Sequence, residues 1–329
     1  MKNKNKIVIM VVCLIVFVAV FGISYYFIFH SSNDKNTPSA TSQISNDVGT
    51  TATKYVYEDI TFDVITTRRD SLPYSSRLDI YQNYKLIMTQ DGIGDIFPLG
   101  SPCPWDDTIK NCGSSDPAFG VDIIGNGKKY FVFVDVGDGS ASPANYYIYE
   151  LSKNGTITKM TEIDTYGGAV FKDLTGNGHL DVEIRETAFN CWSSACAFSH
   201  SPNFILSWNS SQKNYIINTN LMHKNAPTQN TIQQKADFYK GDNWCISDSD
   251  GSETCSVPWG YALDLIYSGN AVSAKSYLNL VWSVASSTLE HGEHGSFSSE
   301  KDLENKILSN LKSSQYYTAI LSLNGGKIF

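Results

Sequence analysis

The 329-residue chain is 42% hydrophobic and 18% charged, with 25 Lys and Arg against 33 Asp and Glu. This composition excludes a disordered chain, and the length allows one large or two medium domains. All 33 acidic residues follow position 30, with 22 basic ones, so that region carries a formal −11 without a basic run. This excludes the electrostatic footprint of a nucleic-acid binder.

At the N-terminus, Lys2, Lys4 and Lys6 precede an uncharged apolar run over residues 7–29. Its 23 residues are enough to span a bilayer as a helix. The run ends in Tyr25, Tyr26, Phe27, Ile28 and Phe29, the pattern of an interfacial aromatic belt. Cys13 follows Val12, not the small residue of a lipoprotein cleavage site. The basic flank should stay cytoplasmic. The expectation is an uncleaved single-pass anchor in a bacterial cell (inner) membrane. Residues 1–30 form the cytoplasmic tip and transmembrane helix, and everything after His30 is periplasmic or otherwise extracytoplasmic. A cleaved signal peptide would leave the remainder on the same side.

Residues 31–53 are rich in Ser, Thr, Asn and Asp and read as a flexible tether. From residue 54 to about 225 the pattern is β-rich. Tyr55, Tyr57, Ile60, Phe62 and Val64 mark strand material, and a hairpin is expected around Gln82-Asn83. Similar hairpins are expected at residues 146–163 and 204–217. Residues 226–329 read as helical, around a polar stretch with a cysteine loop. Helices are expected at 228–240, at 261–267 with a stop at Gly269, at 271–285, and after Ser298 or Ser299 with Leu303, Ile307, Leu308 and Leu311 buried. The tail, residues 316–323, reads as a final strand.

Two segments match at a shift of 51 residues: Val121-Asp122-Ile123-Ile124-Gly125-Asn126-Gly127 and Lys172-Asp173-Leu174-Thr175-Gly176-Asn177-Gly178. Each leads into a strand and, further on, a hairpin. The fold class is therefore α+β: an N-terminal transmembrane helix, a blade-like antiparallel β-domain of about three four-strand meanders that does not close into a propeller, and a helical C-terminal part. In the second copy the side chains of Asp173, Thr175, Asn177 and Asp181, with the His179 carbonyl, place oxygens as a hard cation such as Ca²⁺ requires. The plain alternative is a Gly-Asn-Gly turn with Asp173 capping backbone amides.

Six cysteines outside the apolar run fall as three close pairs: Cys103 and Cys112, Cys191 and Cys196, Cys245 and Cys255. In an exported domain this reads as a disulfide framework with local pairing; the spacings do not match two-residue zinc knuckles. Asp135, Asp138 and Glu183, or the His291 region, are candidates for a hydrolase acting through carboxylates, although residues 134–142 lack the Gly-x-Ser-x-Gly pattern. Residues 248–253 are a weaker cation candidate, and the six Trp residues could line a carbohydrate site.

Asp173-x-Thr175-Gly176-Asn177-Gly178-x-x-Asp181 resembles the calcium loops of integrin-type propeller repeats, the FG-GAP or VCBS-like family. Thr175 and Asn177 depart from the usual ligand residues and leave two carboxylates. In the first copy Ile124 and Tyr130 occupy ligand positions, so calcium binding there is not expected. The resemblance covers about residues 54–220. It implies a blade-like architecture and an interaction surface. The expected function is a membrane-anchored extracytoplasmic binding or scaffolding protein with one structural calcium site. It contacts the bacterial membrane through residues 7–29, and an envelope protein or glycan is its partner. The alternatives are an envelope hydrolase and a carbohydrate-binding module.

Overall fold

The computed structural model describes residues 39–44, 49–69, 72–99, 119–137, 143–192, 199–240, 245–247, 253–291 and 297–329. The apolar run at 7–29 lies outside them, as do Cys103, Cys112, Asp138 and Cys196. Among the described residues no helix is long and apolar enough to cross a membrane.

Three antiparallel sheets are built from consecutive strands. Sheet 1 is a meander of β1 (Ser39–Ile44), β2 (Thr50–Tyr57), β3 (Ile60–Arg69), β4 (Leu72–Gln82) and β5 (Lys85–Asp91). Strand β1 lies within the stretch expected to be a tether. Sheet 2 runs from β10 (Ile157–Tyr166) through β9 (Pro143–Leu151) and β8 (Lys129–Val136) to β6 (Asp95–Pro98). Strand β7 (Phe119–Val121) shares the β6 edge of β8. Sheet 3 is β11 (Val170–Lys172), β12 (Asp181–Arg185), β13 (Asn203–Asn209) and β14 (Asn214–Ile217). The three expected hairpins are β4–β5, β9–β10 and β13–β14.

Strand alternation explains how the sheets stack. In β8, Phe131 and Phe133 pack with Phe62 of sheet 1, while Tyr130, Val132 and Val134 join the core shared with Phe171, Val182 and Phe204 of sheet 3. Sheet 2 is thus buried on both faces, and β8 is apolar at both parities. Phe62 lies 4.9 Å from Phe131 and 5.1 Å from Phe133, ring centre to ring centre. Each such fully buried aromatic stabilises the stack by roughly 1.5–3 kcal/mol. The sheets do not close into a barrel; the larger core continues from sheet 3 into the helices.

The turns of the stack gather at one end. Gln82 Nε2 donates to the Gly155 carbonyl (2.6 Å) and Lys129 pairs with Glu58 (3.9 Å), tying sheet 1 turns to sheet 2. The Leu180 N–H donates to the Ile123 carbonyl (2.8 Å), and Thr161 bonds Asn214, tying sheet 2 to sheet 3.

Helices α1 (Thr219–Met222) and α2 (Gln229–Asp237) follow sheet 3. A short hairpin, β15 (Cys245–Ser247) with β16 (Glu253–Cys255), sets Cys245 opposite Cys255 in backbone register. Helix α3 (Gly260–Tyr267) is almost wholly buried. Helix α4 (Ala271–His291) has a non-helical residue at Ala285, where the sequence reading ended it. In α5 (Glu300–Ser313) the Ser299 hydroxyl accepts the Asp302 N–H, and Leu303, Ile307 and Leu311 form the buried stripe. The tail corrects the expectation of a strand: α6 (Tyr317–Leu323) is a helix. Its apolar residues Tyr316, Tyr317, Ile320, Leu321 and Leu323 follow a three-to-four spacing, and Ile320 is fully buried.

Candidate functional site

The two matched loops adopt one hydrogen-bonded form. Asp122 Oδ1 accepts the N–H groups of Ile124 (3.3 Å) and Asn126 (3.1 Å), and Oδ2 accepts that of Gly127 (2.5 Å). Asp173 Oδ1 accepts Gly176 (2.7 Å) and Asn177 (3.1 Å), and Oδ2 accepts Gly178 (2.8 Å). Asn126 and Asn177 each accept an N–H two residues on, at 3.0 and 2.8 Å. The Gly178 bond first, then the other backbone bonds, hold the Asp173 carboxyl below its ordinary pKa. Asp181, buried at 4% exposure, accepts from the Leu174 N–H (3.1 Å) and the Ser207 hydroxyl. The first loop makes the same hydrogen-bonded turn with Tyr130 in the place of Asp181. Among the described residues no three His, Cys, Asp or Glu side chains are grouped to hold a metal.

The loops also touch. Gly125 has φ +68°, and a Cβ there would run into the His179 ring of the second loop. Gly125→Ala is expected to cost about 1–3 kcal/mol in urea unfolding, part from the positive φ and part from the clash. Adding His179→Ala should recover only the clash. Equal stability of Gly125→Ala and the parent would show that the loops are not packed this way.

Asp135 and Glu183 do not share a site. Asp135 is fully buried and accepts the N–H groups of Ile93 (2.8 Å) and Gly94 (2.9 Å) and the Tyr147 hydroxyl (3.0 Å). It fastens the link between sheets 1 and 2. Gly94 is required there because a Cβ would collide with the Val136 carbonyl. The His291 side chain lies outside what the structure describes.

Glu183 lies on the outer face of sheet 3. The alternation of β12 buries Val182 and Ile184 and turns Glu183 and Arg185 the other way; Arg185 pairs in register with Asn203. These residues line a cleft of about 670 Å³ against α1 and α3, together with Lys224, Tyr261 and Asp264. His200 Nε2 bonds Asp264 Oδ1 at 2.7 Å, and its ring packs over Gly260 at the start of α3. That pair pins the incoming chain to the helix. Glu183, Arg185 and Lys224 enter no ion pair among the described residues. Arg185, His200, Lys224 and Asp264 escaped sequence reading because they stand alone on separate elements. Only the charged parity of Asp181-Val182-Glu183-Ile184-Arg185 gave a signal.

The tryptophans do not form a platform among the described residues. Trp192 packs against Trp259 (5.7 Å), Phe189 (5.4 Å) and Phe297 (6.2 Å), ring centre to ring centre, as part of the core. Cys191 beside it is disulfide-bonded. Comparison with family models, with curated proteins and with solved structures returns no match.

Proposed function

We propose that this is a membrane-anchored extracytoplasmic binding or scaffolding protein whose ligand enters the cleft on sheet 3. The observation that carries the reading is the open cleft of about 670 Å³ where Glu183, Arg185 and Lys224 stand without ion-pair partners among the described residues. Charged groups left uncommitted in a concave, partly apolar site suit a polar ligand carrying both signs. Envelope glycopeptides have that chemistry: carboxylates for Arg185 and Lys224, an ammonium for Glu183. The separation of Asp135 from Glu183 favours binding over hydrolysis. Calorimetric titration of the protein with soluble peptidoglycan fragments tests this. Binding that is lost in the Arg185→Ala, Lys224→Ala double variant is the expected result. No heat from the parent protein rules out this ligand class.

Within this reading the β-domain is a degenerate, open relative of the integrin-type repeats, and Asp173, Thr175, Asn177, the His179 carbonyl and Asp181 hold one structural calcium. The disulfides pair locally. The direct register of Cys245 and Cys255 supports one such bridge, since facing residues lie within disulfide reach. Two carboxylates give an extracellular-module affinity, about 10⁻⁴ to 10⁻³ M. Calcium at ~100 times its dissociation constant should then stabilise the fold by about 2.7 kcal/mol. In a thermal melt against EDTA this is a rise of roughly 5–10 °C. Asp173→Ala should abolish the shift; an unchanged melt for the parent would leave the loop as a turn alone.

A further inference from the structure

We propose that the groove at the β14 edge of sheet 3 is a second binding site, for a neutral oligosaccharide. It holds about 470 Å³ and lies between β10, β14 and α6, with Gln315 and Tyr316 at its side. That volume falls in the range of small-molecule sites, about 300–1,000 Å³. The groove shares no lining residue with the cleft that holds Glu183, Arg185 and Lys224. It therefore stands independently of the reading given to that cleft.

The floor of the groove is apolar: Ile163, Leu206, Tyr215 and Ile217 are buried and Tyr316 is half-buried. Its rim is polar and almost uncharged. Gln212, Asn214, Gln315, Thr318 and Ser322 are exposed there. The side chains of Gln212, Gln315, Thr318 and Ser322 have no hydrogen-bond partner among the described residues. Each amide brings two donors and an acceptor, and each hydroxyl a donor and acceptor sites. Glu162 is the one charged residue among those described in the lining, and it is paired with Lys159 at 2.7 Å. A charged ligand would give up hydration here without meeting a counter-charge. Sugar hydroxyls donate and accept as these side chains do, and the C–H face of a sugar ring matches an apolar floor that includes Tyr316. An extended peptide added to the sheet fits less well. Asn214 Oδ1 accepts the Tyr215 N–H (2.9 Å) and the Thr161 hydroxyl, which ties off the strand where a new one would pair. The Asn214 Nδ2 donors are left for a ligand hydroxyl.

The test titrates the full chain, by calorimetry, with neutral tetrasaccharides of glucose, galactose, mannose and N-acetylglucosamine. Binding of at least one of them is the expected result, weakened roughly tenfold in the Gln315→Ala, Thr318→Ala double variant. Both positions are exposed, so the thermal melt of that variant should match the parent's. Ser322→Trp fills the groove without removing a buried group and should abolish binding. The affinity should not change with salt, because no unpaired charge takes part. No heat with any of the four sugars overturns the proposal. So does binding that survives both the double variant and Ser322→Trp. Loss of binding in the Arg185→Ala, Lys224→Ala variant, with the groove variants unaffected, would move the sugar to the cleft and overturn the second site. Binding that weakens with salt, or that is tighter for tetragalacturonate, overturns the neutral ligand class.

Discussion

Glu186→Ala is expected to lower the unfolding free energy by about 3–5 kcal/mol, because it leaves three bonded donors without their acceptor. Glu186 follows the last residue of β12 and is 1% exposed. Its Oε2 accepts the hydroxyls of Tyr267 (2.6 Å) and Ser314 (2.8 Å), and its Oε1 accepts the Ala188 N–H (3.0 Å). One carboxylate therefore joins the end of β12 to α3 and to the segment between α5 and α6, across 81 and 128 residues of sequence. Removing it leaves the Tyr267 and Ser314 hydroxyls and the Ala188 N–H without this acceptor. Glu186→Gln keeps the shape and one acceptor, so it should cost less, about 1–2 kcal/mol. Urea unfolding measures both. The Glu186→Ala, Tyr267→Phe double variant should be less destabilised than the sum of the single changes. Additivity, or a Glu186→Ala effect below about 1 kcal/mol, would mean that the network does not hold the helices.

Asp135→Ala is expected to have an effect of similar size, about 3–5 kcal/mol, because it orphans the buried Gly94 N–H, the part-buried Ile93 N–H and a buried tyrosine hydroxyl. Its pH signature separates it from a simple packing loss. Burial raises the Asp135 pKa above 3.8, against the three hydrogen bonds that pull it down. The folded state therefore holds this proton more tightly than the unfolded state. The resulting stability is present below the unfolded carboxylate pKa and is lost as pH rises through the folded value. Asp135→Asn cannot titrate. The stability difference between parent and Asp135→Asn should be largest in acid and shrink as pH rises from 3.8. A difference that grows with pH would show that the hydrogen bonds outweigh burial.

The hairpins were legible in the sequence because strand alternation and turn residues act locally. Gln82-Asn83 and the run Ser152-Lys153-Asn154-Gly155 announce turns whatever the rest of the chain does. The 51-residue shift was legible for the same reason, since among the described residues Asp122 and Asp173 bond to amides within five residues. The tail was misread because short apolar runs fit a strand or a helix equally until packing chooses, and Ile320 packs into the core as a helical residue. Asp135 looked chemical because a charge beside glycines resembles a catalytic loop; its backbone partners Ile93 and Gly94 lie more than 40 residues away. The cleft was illegible for the same reason, because His200 and Asp264 are 64 residues apart.

The middle sheet is covered by what comes before it and what comes after it. Each sheet is made of consecutive strands, so each can assemble from a local stretch as the chain is made, with short loops to close. Sheet 1 can present Phe62 before Phe131 and Phe133 have been synthesised, and it then templates one face of sheet 2. The other face, with Tyr130, Val132 and Val134, stays open until sheet 3 arrives, and sheet 3 in turn waits for α3 and α5. A chain interrupted after β10 would therefore hold an apolar sheet with one side bare, a species prone to self-association. Synthesis order and stacking order coincide, which shortens the life of that exposed surface to the time needed to add the next 50 or so residues at about 5–20 residues per second.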